Sequence, residues 1–274
     1  MLFLHPHHIT DVYCLVDDLV PPKLPQRIGG RPELLSSSEL ITILVWNTLT
    51  LHQKTLKDLH GHIVRYHTKD FPRLPKYAGF IAQCHRTIPI LATVLGQLLH
   101  SREAVRILDS TMLEVCTLKR AEHHKVAQGI AQFGKNHQGW HFGFKLHASI
   151  DLHGNLCAVY ITPANVHDAQ VMPKTLNEYT RYAVGDSHYG AKVMRQYIWE
   201  TYGTIIVAPP HFTQKRKVMA EWQHLFLNVR SKIESVFDYL KNHLNIVSSF
   251  PRSVNGYLLH YLRILVGYQV MGGF

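Results

Sequence analysis

The sequence predicts an α/β protein: a mixed five-stranded sheet flanked by helices, preceded by a small all-helical domain. Three observations predict it. Residues 1–100 carry apolar positions at helical spacing between Pro-rich joints, and after Arg102 the apolar runs shorten to strand length. From residue 168 onward helices and strands alternate, as in a sheet whose strands are joined by helical crossovers. The 274 residues suffice for one large domain or two small ones, and a 46% hydrophobic content supports a real core.

In the first hundred residues, SSSELITILVWNTL opens with a capping box, Ser36 with Glu39 three positions on, ahead of an apolar run. TLKDLHGHIVRYH and IPILATVLGQLLH repeat apolar residues at helical spacing, and LVPPKLPQ and FPRLPK separate the helices. The boundary therefore falls near residue 100, giving domains 1–100 and 101–274. In the second, AVRILDS (104–110) reads as a strand, and GWHFGFKLHASID (139–151) alternates as another. NLCAVYITPA (155–164) follows a DLHGN turn whose Asp and Gly suit a hairpin. The polar, His-rich interval 111–138 is expected to be a loop over one sheet edge. DAQVMPKTLNEYT reads as a helix that Pro173 shortens or kinks. Strand RYAVGD, helix AKVMRQYIWETYG, strand TIIVAPP, a basic linker and helix NVRSKIESVFDYLKNHL complete the order. A three-strand meander is thus followed by crossovers.

The net charge of +10, of which +7 lies in residues 101–274, favours a polyanionic partner. Cys14, Cys84, Cys116 and Cys157 form no CxxC pair, which points to reduced, buried thiols in a cytosolic protein. MLFLHPHHITD lacks the pattern of a signal peptide, and no stretch of about 18 apolar residues occurs, so a cytoplasmic protein without a membrane partner is expected. Among the 21 histidines, the clusters HPHH (5–8), HGH (60–62) and HHK (123–125) do not have the spacing of a zinc site.

Two strands deliver an acid at the end of an apolar run: Asp109 after Val105 to Leu108, and Asp186 after Tyr182 to Gly185. One strand-terminal Asp commonly caps a turn; two in one sheet point to a shared site. A third acid lies in VRSKIESVFDYLKNHL. At about 100° per residue, Ile233, Phe237, Leu240 and Leu244 form an apolar stripe, with Arg230, Glu234 and Lys241 together at its border. Carboxylates converging from two strands and a helix suit Mg²⁺ or Mn²⁺, which take hard oxygen ligands. Two such ions about 3.5–4 Å apart stabilise the attacking and leaving oxygens of a phosphoryl displacement. Asp151 in the DLHGN turn and Asp168 at a helix start have ready structural roles, and Glu114 and Glu122 lie in the polar interval. Lys215, Arg216 and Lys217, with Arg230 and Lys232, make a basic face suited to DNA phosphates.

The succession Asp109, Asp186, Glu234, at intervals of 77 and 48 residues, resembles the catalytic core of bacterial DDE-type insertion-sequence transposases. In pattern it is nearest to the insertion sequence 982 and insertion sequence 4/5-like groups. The resemblance covers about residues 101–270, and the helical first hundred residues are similar in size and placement to an element-end-binding module. Asp186-Ser187-His188-Tyr189 resembles the family's Asp-x-x-Tyr motif, and Arg230-x3-Glu234-x6-Lys241 its signature around the catalytic Glu. ANVHDAQ (164–170) resembles its His-Asp stretch; Leu227 departs from the signature's Tyr. The resemblance implies an RNase H-like fold and cleavage of DNA at inverted-repeat ends, followed by 3′-hydroxyl transfer into target DNA. It also implies two Mg²⁺ ions on Asp109, Asp186 and Glu234, with Mn²⁺ able to substitute, and phosphate contacts from Arg230 and Lys241. Tyr189, His188 and His167 are expected beside the DNA, and a homodimer or larger synaptic complex is expected on the nucleoid. Two other classes share these features: an RNase H-like structure-specific nuclease, and a transposase-derived DNA-binding regulator without chemistry.

Overall fold

Capping residues and apolar periodicity set the helices of the first hundred residues. The computed structural model describes residues 8–21, 32–210 and 218–272. Within them α1 (Ile9–Leu19), α2 (Ser37–Trp46), α3 (Leu56–Tyr66), α4 (Tyr77–Arg86) and α5 (Ile88–Leu98) come first. Next are β1 (Val105–Glu114), β2 (Gln132–Asn136), β3 (Gly139–Ile150) and β4 (Leu156–Pro163). Then follow α6 (Asp168–Val171), β5 (Tyr182–Val184), α7 (Lys192–Tyr202), β6 (Ile205–Val207), α8 (Glu221–Asn228), α9 (Ser231–Asp238) and α10 (Val254–Met271). No helix among the described residues is long and apolar enough to cross a membrane.

The chain divides into two compact units. The helical unit takes the described part of residues 1–98 together with 244–246 and 250–272, which hold α10. The capping box is present: Glu39 N–H donates to Ser36 Oγ at 3.1 Å, and Ser36 N–H to Glu39 Oε2 at 2.6 Å. α2 is buried from Leu40 through Trp46, and α10 buries Tyr257, Tyr261, Ile264, Leu265 and Tyr268. Helices without a polar face must be enclosed by others, and α10 packs against α2, α4 and α5. Gly267 lets α10 approach the π-helical turn Asn47–Leu51 that follows α2, since a Cβ there would stand 2.7 Å from Thr48 Cγ2. The sequence placed 101–274 in one domain; α10 instead completes the helical unit, where it is buried from Leu259 through Gln269 apart from half-buried Leu262.

The sheet unit is RNase H-like. Its mixed sheet runs β2-β3-β1-β5-β6, with β4 also on β3, so the described residues give six strands rather than five. The additional strand, β2, lies in the interval expected to be a loop. Its sequence QFGKN does not alternate in hydrophobicity, and its ladder to β3 holds it in place. β1 is antiparallel to β3 and parallel to β5, and β5 is parallel to β6. By strand alternation Ile107, Asp109 and Leu113 share one face, the one on which α9 packs, and Leu108, Ser110 and Met112 the other. On that second face Leu108 joins Met172, Leu176, Tyr189 and Ile198 in a buried cluster.

Three elements differ from expectation. β1 continues past Ser110 to Glu114 because β3 pairs with it throughout. The helix expected over 168–180 stops after one α turn and one 3₁₀ turn, Met172–Thr175, which contains Pro173. The last expected helix, 228–244, is α9 continued by a π-helical turn, Tyr239–His243, and α8 lies in the stretch expected to be a linker.

Candidate active site

The parallel pairing of β1 and β5 brings two acids together. Its last register pair is Ile107 with Val184. Asp109 and Asp186 each stand two residues further along in the same direction, so the two chains present them side by side. Asp109 lies within its strand, whereas Asp186 follows its strand and caps the 3₁₀ turn Ser187–Gly190. The third expected residue comes from α9, which packs on β1. Arg230, the residue preceding α9, bridges the elements: Nη1 is 3.8 Å from Asp109 Oδ2, and Nη2 donates to Glu234 Oε1 at 2.7 Å.

Burial raises the Asp109 carboxyl to about 6. The Ser110 N–H bond at 2.8 Å opposes the rise, Asp186 adds to it, Arg230 opposes it, and Asp168 adds a little more. Asp186 is held by its own turn, where Oδ1 accepts from His188 N–H at 2.8 Å and Oδ2 lies 3.0 Å from His188 Nδ1. His188 itself is exposed. Gly185 allows the turn to close over Tyr189, since a Cβ at 185 would stand 2.6 Å from Tyr189 Cδ2. The Tyr189 ring is only 3% exposed, and burial followed by Asp168, Asp109 and Asp186 holds its phenol protonated. Tyr189 is thus buried among the apolar residues beneath the acids.

A second polar group adjoins the pair and escaped the sequence reading. Asp168 opens α6, but Oδ1 accepts from Ser110 Oγ at 2.9 Å and from Lys145 Nζ at 3.1 Å. Lys145 also donates to the Val166 carbonyl at 2.9 Å. His147 Nδ1 lies 3.4 Å from the same oxygen, while its Nε2 contacts Thr162 Oγ1 at 2.9 Å. Burial lowers the His147 imidazole to about 4, against the attraction of Asp168. This group ties α6, β3 and β4 to the residue following Asp109. The available signals were the Val-His-Asp sequence and the alternation that puts Lys145 and His147 on one side of β3.

The remaining expected residues are dispersed. Lys232 donates to the Leu152 carbonyl at 2.6 Å, bracing the β3–β4 turn. Lys241 lies in the π-helical turn, where burial lowers its pKa and Glu114 and Asp238 oppose the shift. His167 caps α6 by accepting Ala169 N–H at 3.3 Å, with its ring 6.4 Å from that of His188. Asp151 spends its carboxylate on the turn, accepting His153 N–H at 2.8 Å and Asn155 N–H at 2.9 Å. Lys215, Arg216 and Lys217 lie outside the described residues. Of the four thiols Cys84 and Cys157 are buried and Cys14 is exposed, and burial pushes Cys84 up to about 12.

Among the described residues no three His, Cys, Asp or Glu side chains stand together as a metal-holding group. The chemistry at Asp109 nevertheless suits a hard cation. Asp186 and Asp168 add negative charge beside a carboxyl that burial already raises, and the guanidinium of Arg230 is a positive charge set between Asp109 and Glu234.

In comparison with known families, residues 100–254, more than half of the chain, match the family described as Transposase DDE domain. No solved structure matches the chain. The matched span takes in the whole sheet and α9, and with them Asp109, Asp186 and Glu234. The chain belongs to the DDE transposase family.

Proposed function

We propose that the protein cleaves DNA at the ends of its own insertion sequence and joins the freed 3′-hydroxyl to target DNA. Within the family it is assigned to the insertion sequence 982 or 4/5-like groups. The observation that carries the reading is the placement of Asp109 and Asp186 two residues beyond the Ile107–Val184 pair, with Arg230 linking Asp109 to Glu234.

In this reading Asp109, Asp186 and Glu234 hold two Mg²⁺ ions, with Mn²⁺ an acceptable substitute. When bound, the ions supply Lewis-acid stabilisation of the attacking and leaving oxygens. Arg230 serves as the counter-ion of Asp109 and Glu234 until a DNA phosphate draws its planar fork away, which releases Glu234 to the site. Lys241 provides a second phosphate contact further along the same segment. His188 fixes the Asp186 carboxylate through its backbone N–H and ring. The helical unit recognises the inverted repeats, and the two ends are brought together by a homodimer or larger assembly acting on the nucleoid in the cytoplasm.

The test is Mn²⁺-dependent cleavage of DNA carrying the terminal repeats that flank the gene, wild type against Glu234→Gln. Cleavage is expected to fall by roughly 10²–10³-fold, as when one charge-stabilising group is lost from a site, with DNA binding retained. Equal cleavage by both proteins would remove Glu234 from the site. Incubating the wild type with a 3′-hydroxyl donor end and a plasmid separates the classes. Joined products identify a transposase, cleavage without joining a nuclease, and binding without cleavage a regulator.

A further inference from the structure

The β2–β3 hairpin carries an aromatic face that is buried at its base and open at its tip. Its register pairs Phe133 with Phe142 and Lys135 with Trp140, so alternation puts all four side chains on one side. The Phe133 and Phe142 rings are 4.9 Å apart, and Lys135 Nζ lies 5.8 Å from the Trp140 ring centroid. Exposure rises toward the hairpin tip, from 8% at Phe142 through 42% at Phe133 to 56% at Trp140. The opposite side is occupied. His141 is held between Glu114 and Asn136, and a Cβ on Gly134 would stand 2.3 Å from the Ala164 carbonyl oxygen. A single exposed aromatic residue means little, but a contiguous aromatic face does.

The surroundings are cationic. Lys119, Arg120, Lys125 and Lys135 are all exposed, and between residues 117 and 141 they are opposed by Glu122 alone. Bases stacking on exposed rings while cations follow the phosphates is the general mode of single-strand recognition. Along β3 alternation puts Trp140 on the side of Ala148, the register partner of Asp109. Eight residues of strand span roughly 26 Å, less than one duplex turn of about 34 Å. The hairpin tip thus lies within one duplex turn of Asp109 along β3.

We infer that this face is a second DNA-contact surface, on which an unpaired base stacks against Trp140 while Lys135 meets the neighbouring phosphate. The inference rests on the DNA reading above and adds to it a preference for unpaired strands, held by residues remote from the acids.

The test uses the full chain without divalent metal, and reads fluorescence anisotropy of a labelled single-stranded oligonucleotide and of the blunt duplex of the same sequence. Trp140→Ala should weaken single-strand binding roughly 5- to 100-fold with little change on the duplex, whereas Trp140→Phe should keep most of the affinity. Lys135→Ala should lower the slope of log affinity against log salt by about 0.7. Unchanged single-strand binding by Trp140→Ala overturns the inference, and equal weakening on both probes overturns the stacking mode. A wild type that binds neither probe sinks the DNA reading itself. A wild type that binds while both hairpin variants bind equally well sinks the hairpin alone.

Discussion

Gly185 shows how a buried strand can end on an acid. The ring of Tyr189 occupies the space a side chain at 185 would need, and it is locked among Leu108, Met172 and Ile198. Gly185→Ala should therefore cost about 1–3 kcal/mol, the usual penalty of overpacking, read as a lower urea midpoint. A variant as stable as wild type would show that the ring can shift. Asp168 offers a second test, because its carboxylate and Lys145 are both largely shielded, at 22% and 12% exposed. Asp168→Asn should leave the ammonium short of its charged partner and cost about 1–3 kcal/mol, whereas Asp168→Ala/Lys145→Met together should recover part of the loss. In the sequence Asp109 and Asp186 stand out because each ends an apolar run, and Glu234 because it borders the apolar stripe of its helix. Asp168 could not, since an Asp opening a helix already has a reason to be there. Its engagement with Ser110 and Lys145 depends on strand pairing, which local sequence does not encode.

At the scale of elements, the strands with a buried face and the capped helices were legible, and those that lean on a neighbour were not. β2 has no alternating apolar residues and exists through its ladder to β3, so its residues looked like loop. α10 is buried from Leu259 through Gln269 apart from half-buried Leu262, and that stretch encloses two groups that prefer water. His260 Nε2 donates to the Asn245 carbonyl at 3.0 Å, which leaves Nδ1 to accept from Arg263 Nη2 at 3.3 Å. The imidazole is thus kept neutral: burial first, then Arg263, depress its pKa from 6.5 to about 3. Burial likewise lowers Arg263 to about 10. With the folded pKa of His260 below the unfolded one, the unfolded chain binds the extra proton between pH 6.5 and 3. The stability held by the neutral ring is therefore complete above 6.5 and is lost as pH falls, at up to about 1.4 kcal/mol per unit. Urea titrations of the wild type and His260→Gln from pH 8 to 4 should diverge below 6.5, with the wild type falling faster. Parallel curves would show that His260 titrates normally. At the other end of the unit, Ser36→Ala removes the capping box of α2 and should cost about 1 kcal/mol in the same assay.

For the whole molecule, the first and last described residues belong to the same unit: the described part of Leu99 to His243 folds as the sheet unit, and α10 then returns to the helices. The sequence showed where helices gave way to strands, near residue 100, because the period of the apolar pattern changes there. It did not show the return, because a largely buried helix has the same composition whichever core encloses it. This organisation predicts an asymmetric response to truncation. A chain stopped after Ser249 keeps every strand, α9 and the acids, but it strips Tyr257, Tyr261, Ile264, Leu265 and Tyr268 from their contacts with α2, α4 and α5. Burying each such side chain contributes about 1.5–3 kcal/mol, so five lost together exceed the stability of most small domains, about 5–15 kcal/mol. The helical unit should then open as a whole. Hydrogen exchange should lose its protection across residues 37–51 and 88–98 while residues 105–114 and 139–163 remain protected. Protection retained in α2 after the truncation would mean that the first hundred residues form a complete core, and that α10 is an addition to it, not its missing part.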